Sequence, residues 1–186
     1  MSTIISYAIL GLLAFALISV VIAAYNRLVM IKNNVNKAFA NIDVLLKQRA
    51  DEIPNLISVV KESINYEESV LTKLTTLRTN YNNATNNDSK IEASNEINKI
   101  TKSIFAVSEN YPELKANNSF ILLQQRVSGI EDAIADRREF YNDSVNMYNI
   151  GIQEFPDLIL AKMLLYKEKA LLTVTEEEKK YDGIKF

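Results

Sequence analysis

Hydrophobic and polar positions fall into two regimes along the chain. From Ile4 to Ala24 the stretch "IISYAILGLLAFALISVVIAA" carries no charged side chain. A run of about 20 residues at ~1.5 Å per residue spans roughly 30 Å, the thickness of a bilayer's hydrocarbon core. Beyond it the apolar residues thin out into stripes. Leu28, Ile31, Val35, Ala38, Ile42 and Leu45 recur at alternating steps of three and four, the spacing of a narrow coiled-coil face. No turn former separates the two regimes, so one helix is predicted from the apolar run to about Gln48.

In "RADEIPNL" Pro54 lacks an N–H and disfavours helix just before itself, while Asp51 and Glu52 suit a helix start. A turn over residues 49–53 is therefore expected. A second stripe follows in Leu56, Val60, Ile64, Glu67, Leu71, Leu74, Arg78 and Tyr81, and ends in the turn formers "NNATNND". The third runs through Ile91, Ile97, Ile100, Ile104, Val107 and Tyr111 and stops at Pro112. After "ELKANNS", with Asn or Ser available as N-cap, the fourth extends from Phe120 through Ile134 and Tyr141 to Ile152, closed by Pro156.

Together these predict an all-α chain: an N-terminal transmembrane helix continuous with an antiparallel four-helix bundle of long helices. The expected division is 1–24 anchor, 25–156 bundle, and 157–186 C-terminal amphipathic segment with a charged tail. Only 4 Gly and 3 Pro agree with long uninterrupted helices.

The apolar run is read as a retained anchor rather than a cleaved signal peptide. "MST" supplies no basic n-region, the run is too long, and Val21-Ile22-Ala23 is a weak cleavage site. Arg27, Lys32 and Lys37 follow the run and no Lys or Arg precedes it. The positive-inside rule therefore expects a single-pass protein of the cell membrane with its bundle in the cytoplasm.

Composition narrows the chemistry. With no His and no Cys, the chain excludes Ser-His-Asp catalysis, thiolate nucleophiles and the usual nitrogen and sulfur metal sites. It has no Gly-rich phosphate loop, and a net charge of -2 is no footprint for nucleic acid. Neither cofactor nor metal is expected.

Glu67 and Arg78 fall on the apolar stripe of the second helix, and Arg137 or Arg138 on that of the fourth. A buried charge must be paired, so these form a candidate interhelical polar layer. It reads either as a catalytic or ligand-binding carboxylate site or, preferably, as an ion network that fixes register or as side chains snorkelling at the stripe's edge. Helix parity returns Pro156 to the level of the bilayer. The segment "DLILAKMLLYKEKALL" that follows carries Lys162, Lys167 and Lys169. It suits an interfacial position with its lysines toward anionic headgroups; alternatively, Leu158, Leu164, Leu165 and Leu172 cap the bundle's open end. "TVTEEEKKYD" reads as a solvated tail.

The stretches "YNRLVMIKNNVNKAFANIDVLLKQRADEIPNL", "ENYPELKANNSF" and "REFYNDSVNMYNIGIQEFP" closely resemble the LemA family of bacterial and archaeal membrane proteins, over roughly residues 25–160. The resemblance implies a membrane helix carrying a soluble helical bundle. Its motif positions here are Asp43, Arg49, Pro54, Asn55, Tyr111, Pro112, Tyr141, Asn142, Asn149 and Pro156. The family has no agreed biochemical activity; some relatives are associated with magnetosome membrane formation, which suggests a role in organising membranes. The chain departs from the pattern at Tyr66, where many relatives carry His before the acid, and at Phe39, where Trp is common. The expectation is a non-enzymatic membrane-anchored structural or interaction protein, with membrane lipid and a protein partner or second copy as its contacts. The alternative is a membrane-tethered sensor or ligand-binding module.

Overall fold

The structure, a computed structural model, describes residues 1–63 and 67–172, the side chain of Ser2 excepted. All regular structure among those residues is α-helical: α1 (Ser2–Ser63), α2 (Glu68–Asn83), α3 (Asn87–Ser108), α4 (Pro112–Lys115), α5 (Asn118–Gly151) and α6 (Asp157–Met163). By length and composition, α1 is the one helix among them able to cross a membrane, and the apolar segment that qualifies it buries none of its residues against the protein.

The turn expected over residues 49–53 is absent, because α1 continues straight through Pro54. A proline inside a helix removes a hydrogen bond and crowds the preceding turn, at about 3 kcal/mol. Against that, Ile53, Leu56 and Val60 are buried on one face of α1, and each such side chain contributes roughly 1.5–3 kcal/mol on leaving water. Pro54 itself lies on the exposed face. Burial wins. The apolar stripe thus runs on through Leu28, Val35, Ile42, Arg49 and Leu56, every seventh residue and all buried. The helix ends at Ser63 instead, with Ile64 and Tyr66 outside the described residues.

The other boundaries fall close to where local chemistry sets them. The Asn86 side chain caps α3 by accepting from the Ser89 N–H at 2.8 Å. Pro112 opens α4, where its missing N–H costs nothing. The Asn117 side chain accepts from the N–H groups of Ser119 and Phe120 at 2.9 and 3.3 Å and caps α5. At its far end α5 stops at Gly151, ahead of Pro156.

Two compact units result, and their boundary crosses both long helices. One comprises Met1–Phe39 with the chain from Arg138 onward, the other Ala40–Arg137. The bundle expected over 25–156 is therefore shared between them. In the second unit, α1, α2, α3 and α5 supply Ile42, Leu74, Ile97 and Phe120 among other buried side chains, with Leu114 from α4. In the first, Leu28, Val35 and Phe39 of α1 are buried together with Tyr141, Val145 and Tyr148 of α5. Phe39 and Tyr141 meet edge to face at 6.0 Å, a favoured aromatic geometry. At Gly151 a Cβ would stand 2.6 Å from the tip of the Ile31 side chain, so any larger residue here would require Ile31 to shift.

After α6 the chain turns back. The N–H of Leu165 bonds the Lys162 carbonyl and that of Tyr166 the Ala161 carbonyl at 2.9 Å, a Schellman cap. The left-handed position of that cap, usually glycine, is Leu165 at φ 55°. Residues 166–172 then run without helix. The segment 157–172 is consequently not one amphipathic element, and the charged tail from 173 lies outside the described residues.

Candidate functional site

The four residues expected to form a buried polar layer do not form one. Glu67 is exposed just ahead of α2 and accepts a hydrogen bond from the Ser69 hydroxyl at 2.7 Å. Arg78 is partly exposed, 3.9 Å from Asp51. Arg137 is exposed and Arg138 half-buried. The expectation rested on one stripe passing from Leu56 to Tyr81, whereas α1 ends at Ser63 and α2 begins at Glu68, so the register restarts.

The buried cation is Arg49, with 1% of its surface exposed. One guanidinium nitrogen donates to the carbonyl and the hydroxyl of Ser94, at 3.0 and 2.8 Å. Another lies 2.6 Å from Glu131, whose second oxygen accepts from the Asn98 amide at 3.0 Å. A single side chain therefore ties α1 to α3 and α5. Isolated, a buried guanidinium would be prohibitively costly; here it is ion-paired with a carboxylate and donates to two further acceptors, which is how arginine tolerates burial.

Asp43 organises a second cluster in the same unit. Its carboxylate accepts from the Tyr81 hydroxyl at 2.8 Å and from Lys90 at 2.6 Å, joining α1, α2 and α3. Burial, and then the Asp43 carboxylate, hold the Tyr81 phenol far above its ordinary value. Tyr81 thus remains a hydrogen-bond donor to Asp43 at neutral pH. Toward the surface, Glu52 accepts from Arg126 and from Asn55, both at 2.9 Å, at a depression of about 330 Å³ lined also by Ser58, Ser119 and Leu122. Among the described residues no group of three His, Cys, Asp or Glu is placed to hold a metal ion.

In the other unit, polar side chains of α5 hold the returning strap. Asn149 accepts from the Lys169 N–H and donates to its carbonyl, both at 2.9 Å. Asn142 does the same for Leu172 at 2.9 and 3.0 Å, and the Tyr148 hydroxyl donates to the Lys167 carbonyl at 3.1 Å. Tyr166 packs 6.1 Å from Tyr148 with the Lys32 ammonium 4.8 Å from its ring. Lys169, expected at the membrane surface, is instead half-buried with its ammonium 5.6 Å from the Tyr148 ring. Burial, and then Lys32, hold its pKa below the ordinary lysine value. Lys162 and Lys167 are exposed. Leu164 and Leu165 are exposed as well, so they do not cap the helices' open end.

Residues 38–186 match the family model described as the LemA family. The chain belongs to the LemA family. Protein LemA of Metamycoplasma hominis is 24% identical over 155 residues, covering 83% of this chain and 71% of that protein. The LemA-like positions singled out by resemblance acquire distinct surroundings here. Arg49 centres the buried cluster and Asp43 the partly buried one, and Asn55 binds Glu52. Tyr111 and Pro112 start α4. Tyr141 packs on Phe39, Asn142 and Asn149 hold the strap, and Pro156 precedes α6.

The roles of Arg49 and of the asparagine pair escaped sequence reasoning, although each left a trace. Arg49 occupies the seventh-residue stripe of α1, and Asn142 and Asn149 stand seven apart beside the buried Tyr141, Val145 and Tyr148.

Proposed function

We propose that this member of the LemA family is a single-pass membrane protein without enzymatic activity, whose helical domain on the cytoplasmic side serves as a docking or assembly surface. The carrying observation is α1 itself: an apolar segment exposed on every side runs without a break into a helix whose next residues are half core and half surface. A water-exposed apolar cylinder of that length needs a bilayer around it. The cytoplasmic side follows from Arg27, Lys32 and Lys37. Support for a structural role comes from the charged clusters. Arg49 with Glu131, and Asp43 with Lys90 and Tyr81, are engaged in joining helices.

The chain has no cysteine, so single cysteines report cleanly on its placement. With Thr79→Cys on the exposed face of α2, the full chain should resist alkaline extraction from its native membrane. Its thiol should react with an impermeant maleimide only after the cells are opened. Extraction into the soluble fraction would remove the anchor, and labelling of intact cells would reverse the side. Crosslinking through the same cysteine should capture a second copy or a discrete partner; a chain that stays uncrosslinked in the native membrane argues against the docking role.

A further inference from the structure

The α5–α6 corner lies at the level where α1 leaves its apolar run. Arg27 stands three residues beyond Ala24, about 4.5 Å along the helix axis. Its guanidinium bonds Glu154, just before α6, and lies 3.4 Å from the buried Asp157 in the first turn of that helix. The ions therefore pin the corner at the height of a headgroup layer, which adds roughly 5–7 Å to each side of a hydrocarbon core.

At that height the corner turns apolar side chains outward. Asp157 and Ala161 face the protein, while Ile159 and Met163 on the opposite side are 55% and 74% exposed, and the flanking Phe155 and Leu165 are 80% and 81% exposed. Leu165 occupies a left-handed backbone position at φ 55° that glycine would take without strain. Lys162 and Lys167, exposed nearby, supply two positive charges, while Glu154 and Asp157 share the single charge of Arg27.

We propose that residues 155–165, with Lys167 beside them, form a second membrane contact, lying in the interfacial layer beside the α1 span with Phe155, Ile159, Met163 and Leu165 toward the acyl chains and Lys162 and Lys167 toward anionic headgroups. It rests on the anchored reading of α1. Apolar side chains on one face of a short element, flanked by lysines, form a shallow interfacial wedge. The protein would then hold the bilayer at two points, which fixes the rotation of the helical domain about the α1 axis where a single span leaves it free.

The test uses the full chain in phosphatidylcholine–phosphatidylglycerol vesicles, with an environment-sensitive fluorophore on one introduced cysteine at a time. Ile159→Cys and Met163→Cys probe the corner, Leu13→Cys the anchor, and Thr79→Cys the aqueous surface. Lipids spin-labelled near the glycerol backbone should quench the corner labels severalfold more than Thr79→Cys, whereas mid-chain spin labels should quench Leu13→Cys. If Leu13→Cys is quenched while both corner labels behave like Thr79→Cys, the second contact is overturned and the anchor stands. Corner labels shielded from aqueous iodide yet untouched by labelled lipid mean that protein covers the corner, which also overturns it. If Leu13→Cys escapes lipid quenching too, the anchored reading falls first.

Discussion

Asn142 and Asn149 stand two turns apart on α5, and each closes a two-hydrogen-bond ring with the main chain of a strap residue three positions from the other's. The spacings match. Seven helical residues rise about 10.5 Å, and three residues of extended chain cover roughly 10 Å. Because each ring needs one amide donor and one carbonyl acceptor, asparagine fits where aspartate does not.

Asn149→Asp should therefore release the strap, since it removes the donor and sets a carboxylate against the Lys169 carbonyl. The loss should be about 1–3 kcal/mol of local stability. Hydrogen exchange at the Lys169 and Leu172 amides would rise by one to two orders of magnitude, roughly what that energy predicts, with α2 and α3 unchanged. Unaltered protection would show that the strap is held by something else.

The Arg49–Glu131 pair makes an asymmetric prediction. Glu131→Ala strands a buried guanidinium and should cost about 3–5 kcal/mol. Adding Arg49→Leu to that variant should restore much of the loss, because it removes the unpaired charge and leaves an apolar side chain on the stripe. Thermal or denaturant unfolding of the two variants decides it: a double variant no more stable than Glu131→Ala would show that the core does not penalise the unpaired charge.

Pro54→Ala discriminates between a turn and a continuous helix at this position. In an exposed helix interior, alanine restores a hydrogen bond and should stabilise by up to about 3 kcal/mol. In a turn, the same change would destabilise by up to ~1 kcal/mol through the freer unfolded chain. The sign of the shift in the unfolding midpoint is the readout.

Tyr81 predicts an alkaline limb of stability. Its folded pKa lies above the unfolded value of 10.0, so its contribution is fully present below pH 10 and is lost as pH rises from there toward the folded value. Ultraviolet titration of the folded protein should show a phenol still neutral when ordinary tyrosines have ionised, and Tyr81→Phe should remove that last component. The variant should also lose about 1.5–3 kcal/mol at neutral pH with the hydrogen bond to Asp43. A titration unchanged by the substitution would contradict the assignment.

Sequence alone determined the regimes and most of the boundaries. The apolar run, the three-and-four spacing, Asn86, Pro112 and Asn117 act within a few residues, so their effects could be read without knowing the fold. What they could not decide is which signal yields when two conflict. Pro54 announced a turn at about 3 kcal/mol, but Ile53, Leu56 and Val60 joined one continuous buried face, and that face formed only once α1 had other helices to pack against. Arg49 fell in the expected turn over residues 49–53, and its partner Ser94 lies 45 residues away, with Glu131 farther still. Glu67 looked buried because a periodicity was extended past the end of α1. Tertiary structure settled these three positions for one reason: burial energy sums over distant segments, whereas caps and breakers act only on their neighbours.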